Sequence, residues 1–361
     1  MYQYTKVDRY LEEARKGANE LLRAMPEDAA TGLYEGIAGT GFTLGEMYLQ
    51  TRDEKYRRGV VQCIELLKSR AKQAGDGIEW KDGNDIISGA AGTGLFLLWA
   101  ARELHLVGSR DLAIQVGERL LQAGESKGPG KTSWLMDATY PEMPNFSHGT
   151  AGVAYFLASL FLETKEKRFL DGALAGTSYL LSIADTKGQV CRIYHDDKHK
   201  DLYYLSWCHG PAGVARLFYQ LYRATGDAQW MEQMKRAAKA MIVNGAPGTV
   251  VTPGEWNNIS ACCGVTAQAE FFQEMYEVTH DRQYRELARK GSDLLLKAAT
   301  RDEQGVRWVQ AEHRVKPELL QAQTGLMQGA AGAGLWLLRF GALSDGKKKT
   351  ALRLPDNPFG F

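Results

Sequence analysis

The sequence predicts an all-α fold in which an inner ring of helices sits inside an outer one. Three observations predict it. Six stretches repeat one pattern: a Gly, two residues, a small residue, then an apolar run. A second element, a Thr with an acidic residue two positions on, repeats in step with the first. Strand signals are few.

The six stretches are "EGIAGTGFTLGEMY", "SGAAGTGLFLLWAA", "HGTAGVAYFLASLF", "HGPAGVARLFYQLY", "CGVTAQAEFFQEMY" and "QGAAGAGLWLLRFG". Their leading glycines are Gly36, Gly89, Gly149, Gly210, Gly264 and Gly329, at intervals of 53, 60, 61, 54 and 65 residues. The second small residue is Gly39, Gly92, Gly152, Gly213, Ala267 and Gly332. Small residues at i and i+3 let converging helix backbones approach, and a Gly before the first turn suits a sharp passage from loop to helix. Each helix after the Gly is apolar nearly all round, so burial on all sides is expected.

The second element reads "TRDEKY", "TKEKRF", "TGDAQW" and "THDRQY", starting at Thr51, Thr164, Thr225 and Thr279, each 15 residues after its Gly. The copy after Gly89 is degenerate, "VGSRDL". The acidic residue can cap a helix start. Tyr56, Val60, Cys63 and Leu67 then fall at helical spacing, as do Trp230, Met234, Ala237 and Met241, which makes these helices amphipathic and outward-facing. Each repeat is thus a helical hairpin, six or seven in all. The period is longer than that of common solenoids, and buried helices alternating with surface helices suit a closed ring. "GQVCRIYH" (188–195) and "GVRWVQAEH" (305–313) read as short strands or extended loops. The barrel is expected to take residues 1–345 as one domain, with 346–361 as a C-terminal tail.

Composition narrows the function. A chain of 361 residues, 44% hydrophobic, can bury a large core. A net charge of +1 gives no electrostatic footprint for nucleic acid. The N-terminal stretch lacks the apolar region of a secretory signal, and apolar runs such as "GLFLLWAA" are too short to span a bilayer. A cytoplasmic location is therefore expected. Five cysteines, an odd number, argue against a disulfide framework.

In a closed ring, the residues before each leading Gly gather at one end. They are Glu35, Ser88, His148, His209, Cys263 and Gln328, preceded by Tyr34, Ile87, Ser147, Cys208, Cys262 and Met327. Cys208, Cys262 and Cys263 stand at helix starts, where the dipole and free N–H groups favour a thiolate. Together they could hold a zinc ion with an open fourth position, the catalytic arrangement. Cys63, on an outer helix, reads as core, and Cys191 lies away from the mouths. His148 and His209 hold matched positions beside the cysteines and suit acid–base work. Asp85, in "DIISG", is either a helix cap or the partner of a histidine. His195, His199 and His313 sit in loops; "HDDKHK" reads as a solvated charged stretch. Glu312 and His313 are candidates for the lining of a substrate groove.

A zinc ion with three thiolates is a weak Lewis acid but would still deprotonate an arriving thiol and keep it nucleophilic. Attack by that sulfur on an unsaturated acceptor is favoured over hydrolysis, with a histidine protonating the enolate. A glycosidase on a similar barrel is the first rival; it needs paired carboxylates, for which Asp85, Glu35 and Glu255 are candidates. A non-catalytic zinc-containing module that binds a peptide or thiol is the second.

At "SHGTAG", "WCHGPAG" and the cysteine-led mouth that follows, the chain resembles the LanC-like family, the lanthionine synthetase cyclases and their stand-alone relatives. The resemblance implies an α/α toroid with zinc at one end, and a cysteine thiol added to dehydroalanine or dehydrobutyrine to close a thioether. It implies Cys208, Cys262 and Cys263 as zinc ligands, Cys263 replacing the usual His as in some three-cysteine cyclases. His148 matches the proposed general acid, Asp85 an acidic active-site residue, and His209 a position held by Tyr or His. The implied partners are a thiol-containing peptide, or glutathione as in eukaryotic relatives, and a separate dehydratase. The family usually shows seven helical pairs, and a basic residue expected shortly before "WCHG" is missing from "DLYYLS". No dehydratase or kinase domain is seen on the chain.

Overall fold

The structure, a computed structural model, describes residues 1–25, 29–136, 142–196, 198–199, 201–248, 250–252, 255–311, 314–344, 346 and 352–359, with only the backbone of 250–252 and 255–257. Two helices, α1 (Tyr2–Thr5) and α2 (Asp8–Arg23), lead into hairpins α3 (Ile37–Thr51) with α4 (Glu54–Arg70), and α5 (Ala90–Glu103) with α6 (Val107–Ala123). The hairpins continue as α7 (Thr150–Thr164) with α8 (Lys167–Ile183), α9 (Pro211–Thr225) with α10 (Ala228–Val243), and α11 (Val265–Thr279) with α12 (Arg282–Ala298). Helix α13 (Ala330–Ser344) ends the series. The Gly-led helices α3, α5, α7, α9, α11 and α13 follow one another around an inner layer, each hairpin placing its second helix outside. The outer layer is staggered. Helix α2 packs on α3 and α4 ahead of the ring, and no outer helix follows α13 among the described residues. No described helix is long and apolar enough to cross a membrane.

The Thr element is a two-part cap. Thr51 Oγ1 donates to the Met47 carbonyl and accepts from the Asp53 N–H, and the residue between, Arg52, is left-handed at φ 56°. The same turn recurs at Lys165, Gly226 and His280. Asp53, Asp227 and Asp281 then accept from the N–H two residues on. Glu166 makes no such bond; its side chain is one methylene longer. Asp281→Ala should therefore cost about 1 kcal/mol in denaturant unfolding, and Glu166→Ala much less.

The inner helices α5, α7, α9 and α11 are buried nearly all round. The expectation fails for α13, which buries one stripe, Gly332, Ala333, Trp336, Arg339 and Ala342; with no outer helix behind it, its back stays open. A third repeated element escaped the sequence reading. The indoles of Trp80, Trp134 and Trp308 donate to the carbonyls of Leu67, Leu120 and Leu295, tying each lead-in segment to the last turns of α4, α6 and α12. Of the two strand candidates, 305–313 contributes Gly305–Arg307, paired with Thr300–Asp302, and Gln310–Ala311, paired with Leu320–Gln321. Segment 188–195 stays a loop with one bridge, Asp185 to Arg192.

The glycines serve a purpose other than helix-on-helix approach. Each lead-in loop folds back onto the start of its own helix. A Cβ on Gly149 would lie 1.7 Å from the Met143 carbonyl oxygen, and one on Gly213 would lie 2.0 Å from that of Trp207 and 2.6 Å from Phe146 Cβ in the preceding mouth. The tight loop, first, and the neighbouring mouth, second, exclude any side chain. The tail residues 352–359 enter the lumen: Asp356 and Phe359 are fully buried, Phe359 stacks on Tyr219 at 4.5 Å, and Asn357 donates to Glu274.

Candidate metal centre

The mouths are stitched together by backbone hydrogen bonds at, or one residue from, the position two before each Gly. Ser147 N–H donates to the Cys208 carbonyl, Cys208 to Cys262, and Cys262 to Met327; earlier in the ring Tyr34 donates to Ile87, and Ile86 to Ser147. This register carries three side chains to one point. Cys208 Sγ lies 3.2 Å from Cys263 Sγ, which lies 3.3 Å from Cys262 Sγ. Ser206 Oγ and Gln328 Nε2 approach the cluster at 3.6 and 3.7 Å.

The helix N–H groups are not what stabilises a thiolate here, contrary to the expectation from position alone. The first N–H groups of α11 are spent on the lead-in carbonyls of Asn258 and Ile259, and Pro211 at the start of α9 has none to offer. Burial opposes ionisation of Cys208, but hydrogen bonds from Cys262 and Cys263, the neighbouring His209 and Ser206 outweigh it and hold this thiol well below its ordinary value. Hydrogen bonding to Cys208 pushes Cys262 and Cys263 well above theirs. Cys208 is thus the sulfur most disposed to ionise, with Cys262 and Cys263 disposed to stay thiols. A soft divalent cation fits this donor set: it would take the place of two thiol protons and leave one tetrahedral position free. Cys63 and Cys191 are buried elsewhere as free thiols.

His148 and Asp85 meet across adjacent mouths. His148 Nδ1 donates to Asp85 Oδ2 at 2.6 Å, which leaves Nε2 for proton transfer. The other oxygen, Oδ1, accepts the Ser88 and Gly89 N–H groups at 2.9 and 2.7 Å. Both readings of Asp85, helix cap and histidine partner, therefore hold at once. Burial lowers the His148 pKa, but the bond and charge of Asp85, with Cys208 and Glu35, outweigh it and raise the value overall. His209 is buried, and that burial pushes its pKa down to about 3, so the ring is neutral. It lies 5.7 Å from the His148 ring and stacks on His195 at 4.2 Å.

The "HDDKHK" loop is solvated at Lys198 and His199 but not at Asp196. Asp196 is 4% exposed and accepts from the Nδ1 atoms of both His195 and His199. Two histidines four residues apart with acids between them were the available signal. Tyr204, in the "DLYYLS" stretch that lacks a base, holds a hydrogen bond with Arg314, and burial pushes its pKa up to about 12. Glu312 and His313 lie outside the described residues, as does the side chain of Glu255. Glu35 is exposed and bonded to Ser88. Asp85 is held by His148, Ser88 and Gly89, so both of these glycosidase candidates are already hydrogen-bonded within the mouths.

A double ring of helices with three thiols and an Asp–His pair at one end defines an α/α toroid with a candidate metal centre. The chain belongs to the lanthionine synthetase C-like family, whose model matches residues 1–351. Its fold is similar to that of nisin cyclase, at 14% identity over 91% of this chain and 80% of that one, with a TM-score of 0.63. It is also similar to unsaturated glucuronyl hydrolase from Bacillus sp. GL1, at 16% identity over 86% of each chain and a TM-score of 0.55. An α-1,6-mannanase of Salegentibacter sp. HEL1_6 matches at 15% identity, 80% and 86% coverage, and a TM-score of 0.51. At these identities the likeness shows the fold. Since a cyclase and two sugar-cleaving enzymes share that frame, the site has to distinguish them.

Proposed function

We propose that this protein is a zinc-dependent enzyme that activates a thiol for addition to a dehydroamino acid or similar unsaturated acceptor, as a lanthionine cyclase does. The observation that carries this reading is the convergence of Cys208, Cys262 and Cys263 beside the Asp85–His148 pair. Zinc in that cluster would acidify an incoming thiol and hold it as a nucleophile. The chain's own residues do the rest. Cys208, Cys262 and Cys263 form the cation's seat. Asp85 orients His148 and keeps it protonated, and His148 delivers a proton to the α carbon after the sulfur adds to the β carbon. The thiol comes from a peptide cysteine or a small thiol such as glutathione, and a separate dehydratase supplies a dehydrated peptide. The free thiols support a reducing compartment, the cytoplasm.

The test is zinc content beside thiol consumption with a cysteine- and dehydroalanine-containing peptide. Peptide binding without thiol loss would favour a non-catalytic zinc module. Activity on an oligosaccharide after metal removal would favour a glycosidase. The pH dependence follows from His148. An acid must be protonated, so the rate should fall as pH rises through its raised pKa. Asp85→Asn removes the charge that raises it, so this limb should move to lower pH. The rate at neutral pH should drop about a hundredfold, with zinc content retained.

A further inference from the structure

We propose that His195 is a second proton-handling residue of this centre, taking the proton of the incoming thiol while His148 serves the carbon. The assignment rests on the thiol-addition reading. Its basis is a construction that occurs twice. Like His148 on Asp85, His195 gives its Nδ1 to a buried carboxylate, Asp196, at 2.7 Å, which leaves Nε2 free. Both rings neighbour His209, which follows Cys208 directly in the chain. The first pair comes from two helix mouths and the second from a single loop, so the repeat does not follow from the helical pattern.

His195 is held in place. Asn145, fully buried, donates to the carbonyls of Tyr194 and His195, and the His195 N–H donates to Leu202. Asp196 also accepts from His199 Nδ1 and from the backbone N–H groups of Lys198 and His199, each at 2.8 Å. Those donors fill the carboxylate and leave no lone pair for an ion, so Asp196 orients rather than ligates. The charged and titratable groups facing His195 are Asp196 and His199 on its loop, His209 at the mouth of α9, and Tyr204 with its partner Arg314.

The chemistry requires two proton transfers. The thiol loses its S–H proton to His195 Nε2. The sulfur electron pair forms the bond to the β carbon, and the π electrons of the C=C bond move onto the α carbon and its carbonyl as an enolate. His148 Nε2 then gives its proton to the α carbon. One proton leaves the sulfur and one arrives at carbon, and exchange with water resets both rings.

The test reads protons directly. Glutathione is titrated calorimetrically into zinc-loaded protein in two buffers of different ionisation enthalpy. The wild type should release well under one proton per thiol bound, because His195 keeps it; His195→Gln should release about one. His199→Gln, which leaves His195 on Asp196, should behave as wild type. With an N-acetyl-dehydroalanine amide as acceptor, His195→Gln should lower the rate about a hundredfold. Equal proton release by wild type and His195→Gln overturns the assignment. Equal damage from His195→Gln and His199→Gln also overturns it, by making the loop a clasp alone. Failure of glutathione to bind at all removes the thiol reading itself, and this assignment with it.

Discussion

Cys208→Ala should strip the protein of zinc and abolish thiol addition. Cys208 is the most readily ionised of the three sulfurs, and Cys263 Sγ lies 3.2 Å from it. Two remaining sulfurs cannot complete a tetrahedral seat that had only three protein ligands to begin with. Zinc should fall from about one per chain to under about a tenth, and thiol consumption to background. The fold should survive, because the mouth is stitched through backbone atoms that Ala retains: Ser147 N–H to the residue 208 carbonyl and residue 208 N–H to Cys262. Circular dichroism separates metal loss from unfolding. Cys63→Ala is the matched control. Cys63 packs in α4 beside Met25, far along the sequence from the mouths; its loss leaves a small cavity and should lower stability without changing zinc content. Elemental analysis of the two variants decides the matter. Zinc retained by Cys208→Ala, or lost from Cys63→Ala, would sink the metal centre.

The parts of this site that repeat are the parts the sequence makes legible. A period of 53 to 65 residues places six helix mouths on one end, and the residues before each Gly must then face one another. That argument alone brought Cys208, Cys262, Cys263 and His148 together, and it put Asp85 within one mouth of His148. The elements that do not repeat stayed hidden. The His195–Asp196–His199 cluster is built by a loop whose polar sequence resembles a solvated surface, and only burial of Asp196 distinguishes the two. The leading glycines were legible as a sharp entry from loop to helix, but the second small residue was read only as helix packing, because the lead-in loop that collides with its Cβ has no pattern of its own in the sequence. The pairing of Arg216 with Asp356 spans 140 residues and joins an inner helix to the tail; nothing local in either segment points to the other.

That pair sets the largest expected stability effect. Arg216 Nη1 lies 2.7 Å from Asp356 Oδ2 in the lumen, with the side chains 8% and 0% exposed. The guanidinium also sits 5.8 Å from the Phe146 ring and 5.9 Å from the Trp207 ring, on the residues just before Ser147 and Cys208. Burial pushes the Asp356 carboxyl up, and Arg216 offsets this only in part. The intact pair therefore adds little to stability, because desolvation consumes the attraction. Breaking it is another matter: Arg216→Met leaves a carboxylate buried and alone, at a cost of about 3–5 kcal/mol. The double variant Arg216→Met, Asp356→Leu should recover part of that loss, since the unpaired Asp356 carboxylate is gone while Glu270 and Glu274, which also face Arg216, remain. The sign with pH is fixed by the raised value. A carboxyl whose folded pKa exceeds its unfolded one favours the native state at low pH and loses that contribution as pH rises through the folded pKa. Without Arg216 the folded pKa moves higher still, so the deficit of Arg216→Met should shrink on acidification and grow toward neutrality. Urea unfolding of wild type and the two variants across that range tests the argument. A single variant as stable as wild type at neutral pH would mean that the tail does not depend on Arg216 for its place in the lumen. A deficit that the double variant fails to relieve would mean that Arg216 matters for its packing under Phe146 and Trp207, and so for the floor of the metal centre.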